Sequence, residues 1–175
     1  MAAAAEMPYF IKPSVQLDQD QKRMAYAELR AAARATLVGI SDASVQQSTL
    51  ACLLKTYLPY AYWAGFYNLI GSNLQIGPYQ GTLGCLTIAL GRGVCGRAAL
   101  EGCTIIENDV SALSEGLQHI SCDPNTRSEI VVPCFGESGE VIAVLDIDST
   151  LPGSFGELDT RELEALIQET FTSNI

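Results

Sequence analysis

Tyr60-Ala-Tyr-Trp-Ala-Gly-Phe-Tyr-Asn-Leu-Ile70, Gly71-Ser-Asn73 and Leu74-Gln-Ile-Gly-Pro-Tyr79 decide the fold. The first run is aromatic and apolar, as a half-buried strand requires. The second is turn chemistry. The third returns as a partner strand, so the three together predict an antiparallel hairpin. On its N-terminal side, residues 18–38 are rich in Ala, Leu, Arg and Gln and lack Pro and Gly, which favours helix. Gly39 is its stop. A second helix follows Asp42 or Ser44, with Leu50, Leu53, Leu54, Tyr57 and Leu58 on one stripe, and Pro59 ends it.

On the C-terminal side, residues 83–90 predict a third strand, 93–100 a short helix and 104–107 a short strand. A loop spans residues 108–127. Strands over 129–135 and 141–147 flank the turn Gly136-Glu-Ser-Gly139. Asp159-Thr-Arg-Glu162 resembles a capping box opening a last helix that runs to about Phe171. Helix, helix, hairpin, irregular middle, hairpin, helix is an α+β layout with helices on an antiparallel sheet. Pro8 and Pro13 make residues 1–17 an extended arm, and 18–175 read as one domain.

Charge excludes several functions. The net charge is −10 and the pI near 4.4, so no basic patch exists to displace counterions from nucleic acid or to hold an anionic membrane. Residues 1–6 have neither the basic nor the apolar region of a signal peptide, and no apolar run approaches a membrane span. A cytoplasmic protein is the expectation. Six cysteines in a reducing compartment are then core residues, metal ligands or redox thiols rather than permanent staples.

The loop over 108–127 is where chemistry concentrates, because a loop of about 20 residues in a small domain is usually functional. It holds His119-Ile-Ser-Cys-Asp123, and Glu129 follows seven residues after Cys122. Cys85 and Cys95 lie upstream and Asp146-Ile-Asp148 downstream. A nucleophilic thiol, spare thiols and proton-moving carboxylates suit reductive chemistry through a transient disulfide. Cys52, on the apolar stripe of the second helix, and Cys134, at a strand end, read as core. Cys85, Cys95 and Cys103 read as core or resolving thiols. The carboxylates disfavour a thiolate at Cys122 unless a neighbour holds one of them protonated or a cationic substrate relieves the repulsion. A metal site is poorly supported by one histidine and no C-x-x-C pair. A Cys–His hydrolase built on His119 and Cys122 is poorly supported as well, since that stretch reads as loop. Gly91-Arg-Gly-Val-Cys-Gly96 fits the dinucleotide pattern, but no repeated β–α units follow, so a tight strand-to-helix turn is the better reading. Trp63 is either aromatic core or a wall for a sulfur-bearing group.

Trp63-Ala-Gly-Phe-Tyr67, Gly77-Pro-Tyr-Gln-Gly81, Gly91-Arg-Gly-Val-Cys-Gly96, His119-Ile-Ser-Cys-Asp123, Ser128-Glu-Ile-Val-Val-Pro133 and Val144-Leu-Asp-Ile-Asp-Ser149 stand in order. Together they resemble the free methionine-(R)-sulfoxide reductases, a catalytic branch of the GAF domain fold, from about Ala61 to Phe155. The resemblance implies a six-stranded antiparallel sheet with helices packed on one face and a closed ligand pocket on the other. It implies that Cys122 is the catalytic thiol, Cys85 the usual resolving thiol and Cys95 the third of the trio. Glu129, Asp146 and Asp148 match the pocket carboxylates, and Trp63 and Tyr67 the aromatic lining. Ser121 and Ala89 depart from the commonest residues of the pattern.

The implied reaction reduces free L-methionine (R)-sulfoxide to methionine. Cys122 attacks the sulfoxide sulfur, a carboxyl group of Glu129 or Asp148 protonates the oxygen, and the sulfenic acid is resolved as a disulfide. The implied partner is a thioredoxin-like dithiol protein, with no bound cofactor and no metal, and a homodimer is the weaker expectation. The rival reading is a non-catalytic GAF sensor that binds a small molecule.

Overall fold

The computed structural model describes residues 12–110 and 123–171. The elements run α1 (Gln19–Leu37), α2 (Ala43–Tyr57), β1 (Trp63–Ile70), β2 (Asn73–Gln80), β3 (Thr87–Ala89), α3 (Gly93–Glu101), β4 (Ile105–Glu107), β5 (Ser128–Phe135), β6 (Val141–Ser149) and α4 (Glu157–Phe171). Six strands form one sheet in the order β3-β2-β1-β6-β5-β4, and every neighbouring pair is antiparallel.

Local chemistry explains the element ends. Asp18 caps α1: its side chain accepts from Gln21 N, and the Gln21 side chain accepts from Asp18 N. Gly39 leaves that helix with φ +73°, a conformation glycine adopts at little cost. Asp42 caps α2 by accepting from Val45 N. The decisive hairpin forms as β1 and β2, with Ile70 opposite Asn73 across the turn.

The sheet's two faces follow from the period of two along each strand. Ala64 and Phe66 of β1, Ile130, Val132 and Cys134 of β5, and Ala143, Leu145 and Ile147 of β6 face one way. They pack against Tyr26, Leu29, Ala33 and Leu37 of α1, Leu50 and Leu54 of α2, and Leu163, Leu166 and Ile167 of α4. Helix α3 lies on the opposite face, where Val94, Cys95, Ala98 and Ala99 join Trp63, Tyr67, Val131 and Val144. Helices α1, α2 and α4 therefore cover one face, and the short α3 roofs part of the other.

Asp159 does not open the last helix as the capping-box pattern suggests. Helix α4 begins two residues earlier, and Asp159 is buried in its first turn. One carboxylate oxygen accepts from Tyr26 Oη at 2.9 Å and Tyr60 Oη at 2.7 Å; the other takes Lys22 Nζ at 2.6 Å and Gly156 N at 2.9 Å. A buried carboxylate needs such partners, and this one ties α1, α4 and the approach to β1 together. Residues 12–18 carry no helix or strand. They are tied down where Ser14 Oγ donates to Tyr60 O at 2.7 Å and Val15 N donates to Pro59 O at 3.0 Å. Among the described residues no helix is long and apolar enough to cross a membrane.

Candidate active site

The face opposite the main core holds an acidic cavity. Glu129 on β5 stands directly across from Asp148 on β6, and Asp146 stands two residues along on the same face of β6. Directly opposed residues on antiparallel strands lie about 5 Å apart at Cβ, where like charges repel. Glu129, Asp146 and Asp148 all line one cavity with Tyr67, Ile88, Cys95, Asp123 and Thr126. Its remaining wall is the start of α3, Arg92, Gly93 and Val94.

Among the described residues none of these three carboxylates has an ion-pair partner, and buried Asp146 Oδ1 accepts no hydrogen bond. Burial, reinforced by the charge of Asp148, holds the Glu129 carboxyl well above its usual range. Burial and Glu129 do the same for Asp146, and burial with Asp146 and Asp123 for Asp148. Desolvation penalises each charged form, and neighbours of like charge add to it. The cluster is thus a store of protons and a strong attractor for a cation.

Cys95 sits in the first turn of α3, fully covered, with Sγ 3.8 Å from Glu129 Oε1. Burial and the charge of Asp146 push its thiol well above the ordinary value, so Cys95 is a proton donor here. Its sulfur and one oxygen each of Glu129 and Asp146 lie within 4.8 Å of one another, a spacing a cation can span. The glycine pattern before it builds a tight turn. Gly91 and Gly93 have φ of +76° and +61°, and a Cβ on Gly96 would lie 2.4 Å from Ala89 O. That turn aims the N-terminal end of α3 at the cavity, without any dinucleotide fold around it.

An aromatic stack lies beside the acids. Trp63 stacks between Tyr67, centroids 5.9 Å apart, and Tyr79 at 5.3 Å, and its Nε1 donates to Thr82 O at 2.9 Å. Tyr67 lines the cavity; Trp63 stands behind it in the stack. A Cβ on Gly65 would lie 2.7 Å from the Trp63 ring, and one on Gly84 would lie 2.9 Å from Tyr67 Oη. Only glycine fits at either place. The segment carrying Cys85 therefore lies directly on the aromatic stack.

Cys85 is disulfide-bonded, whereas Cys52, Cys95, Cys103 and Cys134 are free thiols. Cys122 and His119 lie outside the described residues. Asp123, the residue after Cys122, is described and is held firmly. Its Oδ1 accepts from Asn125 N and Nδ2, both at 2.8 Å, and its Oδ2 accepts from Tyr62 Oη at 3.1 Å and from Thr82 Oγ1. Burial pushes the Asp123 carboxyl upward as the largest single influence. The bonds from Thr82, Asn125 and Tyr62 together outweigh it and hold the group below its usual value. Thr82 is three residues before Cys85, so the Asp123–Thr82 bond joins the two cysteine-bearing segments of chain.

The structure differs from the sequence reading at Cys52 and goes beyond it at Asp123 and Thr126. Cys52 is exposed rather than core. Leu50 and Leu54 define the buried side of α2, and a residue two places after Leu50 lies about 200° around the helix from it. The Asp123 clamp, and Thr126 beside Asp148, carry no local sequence signal, because their partners are distant in the chain. Cys134 is buried as expected.

The model of the GAF domain family matches residues 17–170. The free methionine-R-sulfoxide reductase of Escherichia coli is 36% identical over 144 residues, covering 82% of this chain and 85% of that protein. The free methionine-R-sulfoxide reductase of Neisseria meningitidis, solved in complex with its substrate, superposes with a TM-score of 0.78 at 32% identity, covering 91% of this chain and 92% of that one. The reduced form of fRMsr of Staphylococcus aureus gives a TM-score of 0.79 at 35% identity, covering 86% and 95%. With the family model spanning the whole sheet and relatives this similar over most of both chains, the chain belongs to the GAF domain family, in the branch of the free methionine-(R)-sulfoxide reductases.

Proposed function

We propose that this protein reduces free L-methionine (R)-sulfoxide to L-methionine, using Cys122 as nucleophile and Cys85 as resolving thiol. The observation that carries the reading is the trio of buried Glu129 and Asp146 and half-buried Asp148, which has no ion-pair partner among the described residues and faces an aromatic and thiol-bearing wall. A free amino acid supplies the missing cation as its ammonium. Its carboxylate then meets the backbone N–H groups at the start of α3, away from the acids. The sulfoxide end is left to the aromatic wall at Tyr67, backed by Trp63, and to Cys122.

The carboxyl groups held above their usual range supply the proton the reaction needs. The Cys122 sulfur attacks the sulfoxide sulfur. Glu129 or Asp148 protonates the oxygen, the oxygen passes to Cys122 as a sulfenic acid, and methionine departs reduced by two electrons. Cys85 then attacks that sulfenic sulfur, expelling water and closing the disulfide. The clamp between Asp123 and Thr82, and the bonded state of Cys85 while Cys95 is free, support Cys85 over Cys95 in this role. A thioredoxin-like dithiol resets the enzyme with no bound cofactor, and the cytoplasm is the compartment that keeps such a donor reduced.

Racemic free methionine sulfoxide supplied with dithiothreitol tests the proposal. Half the sulfoxide should disappear, leaving the S epimer, while methionine accumulates. No methionine from folded, fully reduced protein overturns it, and unchanged thiol counts on adding the sulfoxide then favour the ligand-sensing GAF domain. Cys122→Ser should abolish turnover even with excess reductant. Cys85→Ser should release about one methionine per chain and stall with thioredoxin; normal cycling of that variant transfers the resolving role to Cys95.

A further inference from the structure

The segment around Cys85 differs in charge from the rest of the chain. No charged residue and no histidine occurs between Lys55 and Arg92, in a chain whose net charge is −10. Within that uncharged stretch Cys85 is half-buried, and two large apolar side chains stand in solvent beside it, Leu83 at 71% and Leu86 at 65% exposure. The loop runs straight into β3, the end strand of the sheet, which among the described residues pairs with β2 alone. Among the described residues no strand pairs with its other edge, whose backbone donors and acceptors can take an added segment. Exposed leucines on both sides of a disulfide, next to an open strand edge, have no role in the packing of the core.

We infer that this uncharged segment, centred on Leu83, Cys85 and Leu86, is the docking surface for the protein dithiol that recycles the enzyme, and that Cys85 is the sulfur it attacks. The inference rests on the reductase reading above. Exchange requires the incoming thiolate to approach Cys85 Sγ in line with the bond it breaks. A protein bringing that thiolate must lie against the side chains one and two residues away. An apolar surface around its own cysteine, as on a thioredoxin-class protein, covers Leu83 and Leu86 on contact. The attacker is an anion, so an approach over an uncharged loop is favoured over one through a cavity lined by Glu129, Asp146 and Asp148. The electrons balance. The donor's first sulfur bonds to Cys85 Sγ as the enzyme's disulfide breaks and the released partner sulfur takes a proton. The donor's second thiol then attacks the first, freeing Cys85 as a thiol and leaving the donor oxidised by two electrons.

The test uses the oxidised full-length protein and a bacterial thioredoxin, with reduction followed by thiol counting. That readout needs no methionine sulfoxide, so it separates this inference from the activity itself. In the double variant Leu83→Ser/Leu86→Ser, kcat/KM for thioredoxin should fall at least about 10-fold, while the rate with dithiothreitol stays within about 2-fold of the parent. A thioredoxin lacking its second active-site cysteine should be trapped on Cys85, as read by peptide mass. Unchanged kinetics with thioredoxin, capture on any other cysteine, or a shift of the parent's oligomeric state in the double variant each overturn the inference. The last of these would make the face a contact between copies of this chain.

Discussion

The two faces of the sheet use the same strands to opposite ends. On one, Ile130, Val132, Leu145 and Ile147 alternate inward and meet three helices, and every one of them is buried. On the other, the intervening residues of the same two strands are Glu129, Val131, Asp146 and Asp148. A strand cannot change one face without keeping the other in register, because a slip of one residue exchanges them. The apolar face therefore sets the geometry in which the acidic face places like charges side by side. One face supplies stability; the other spends some of it to hold charge-seeking groups in place.

The largest effect should come from opening the apolar face. Leu145 is fully buried in the helix-covered core. Leu145→Ala should destabilise the fold by about 2–5 kcal/mol, through lost transfer energy and a residual cavity. Urea unfolding at pH 7 measures this. A loss below about 1 kcal/mol would mean that the helices on that face close over the gap and that the register is fixed elsewhere.

The matching change on the acidic face should behave differently. Asp146→Asn removes one of three crowded carboxyls whose charged form burial already opposes. Stability at pH 7 should stay within about 0.5 kcal/mol of the parent or rise, while KM for the free sulfoxide rises about 10–100-fold as a partner of its ammonium is lost. A variant both unstable and fully active would reverse the division of labour between the faces.

The pH dependence sharpens the same contrast. Glu129, Asp146 and Asp148 all have raised values in the folded state. From the ordinary carboxylate pKa of about 4 upward to those raised values, the native state keeps protons that the unfolded chain has released. Stability of the ligand-free protein therefore falls as pH rises through that window, and the loss is complete above the folded values. Asp123 and Glu169, held below their usual values, contribute with the opposite sign only below the window. The urea midpoint should decline from pH 5 to pH 8, and decline less in Asp146→Asn. Parallel slopes for the two proteins would remove Asp146 from the account.

What the sequence made legible follows the range of each interaction. The β1–β2 hairpin and the presence of α1 and α2 depend on neighbours a few residues apart, and both read directly from the pattern. Glu129 stands out in the sequence by its spacing from Cys122, but its place directly opposite Asp148 needs the β5–β6 register, which no local pattern carries. Asp159 shows the converse. A local pattern pointed to a cap, yet Lys22, Tyr26 and Tyr60, all more than 90 residues away in sequence, draw the carboxylate inward. Cys52 has apolar neighbours in sequence yet lies on the exposed side of its helix, because side is set by the step of about 100° per residue and not by adjacency.

The smallest expected effect lies where two loops meet over the acidic face. Asp123 is held by Thr82, Tyr62 and Asn125, and of these only Thr82 belongs to the segment that carries Cys85. Thr82→Val keeps the shape and removes one hydrogen bond to a charged acceptor, worth about 1–2 kcal/mol. Tyr62 and Asn125 still hold Asp123, so the fold and the first methionine released should be nearly unchanged. The bond joins the two cysteine segments, so its loss should appear in the closing of the disulfide. After a single turnover, the rate of losing two free thiols should drop about 5–30-fold, the same energy expressed as a rate. Equal loss of the first turnover and of disulfide closure would mean that Asp123 positions the nucleophile itself rather than its meeting with Cys85.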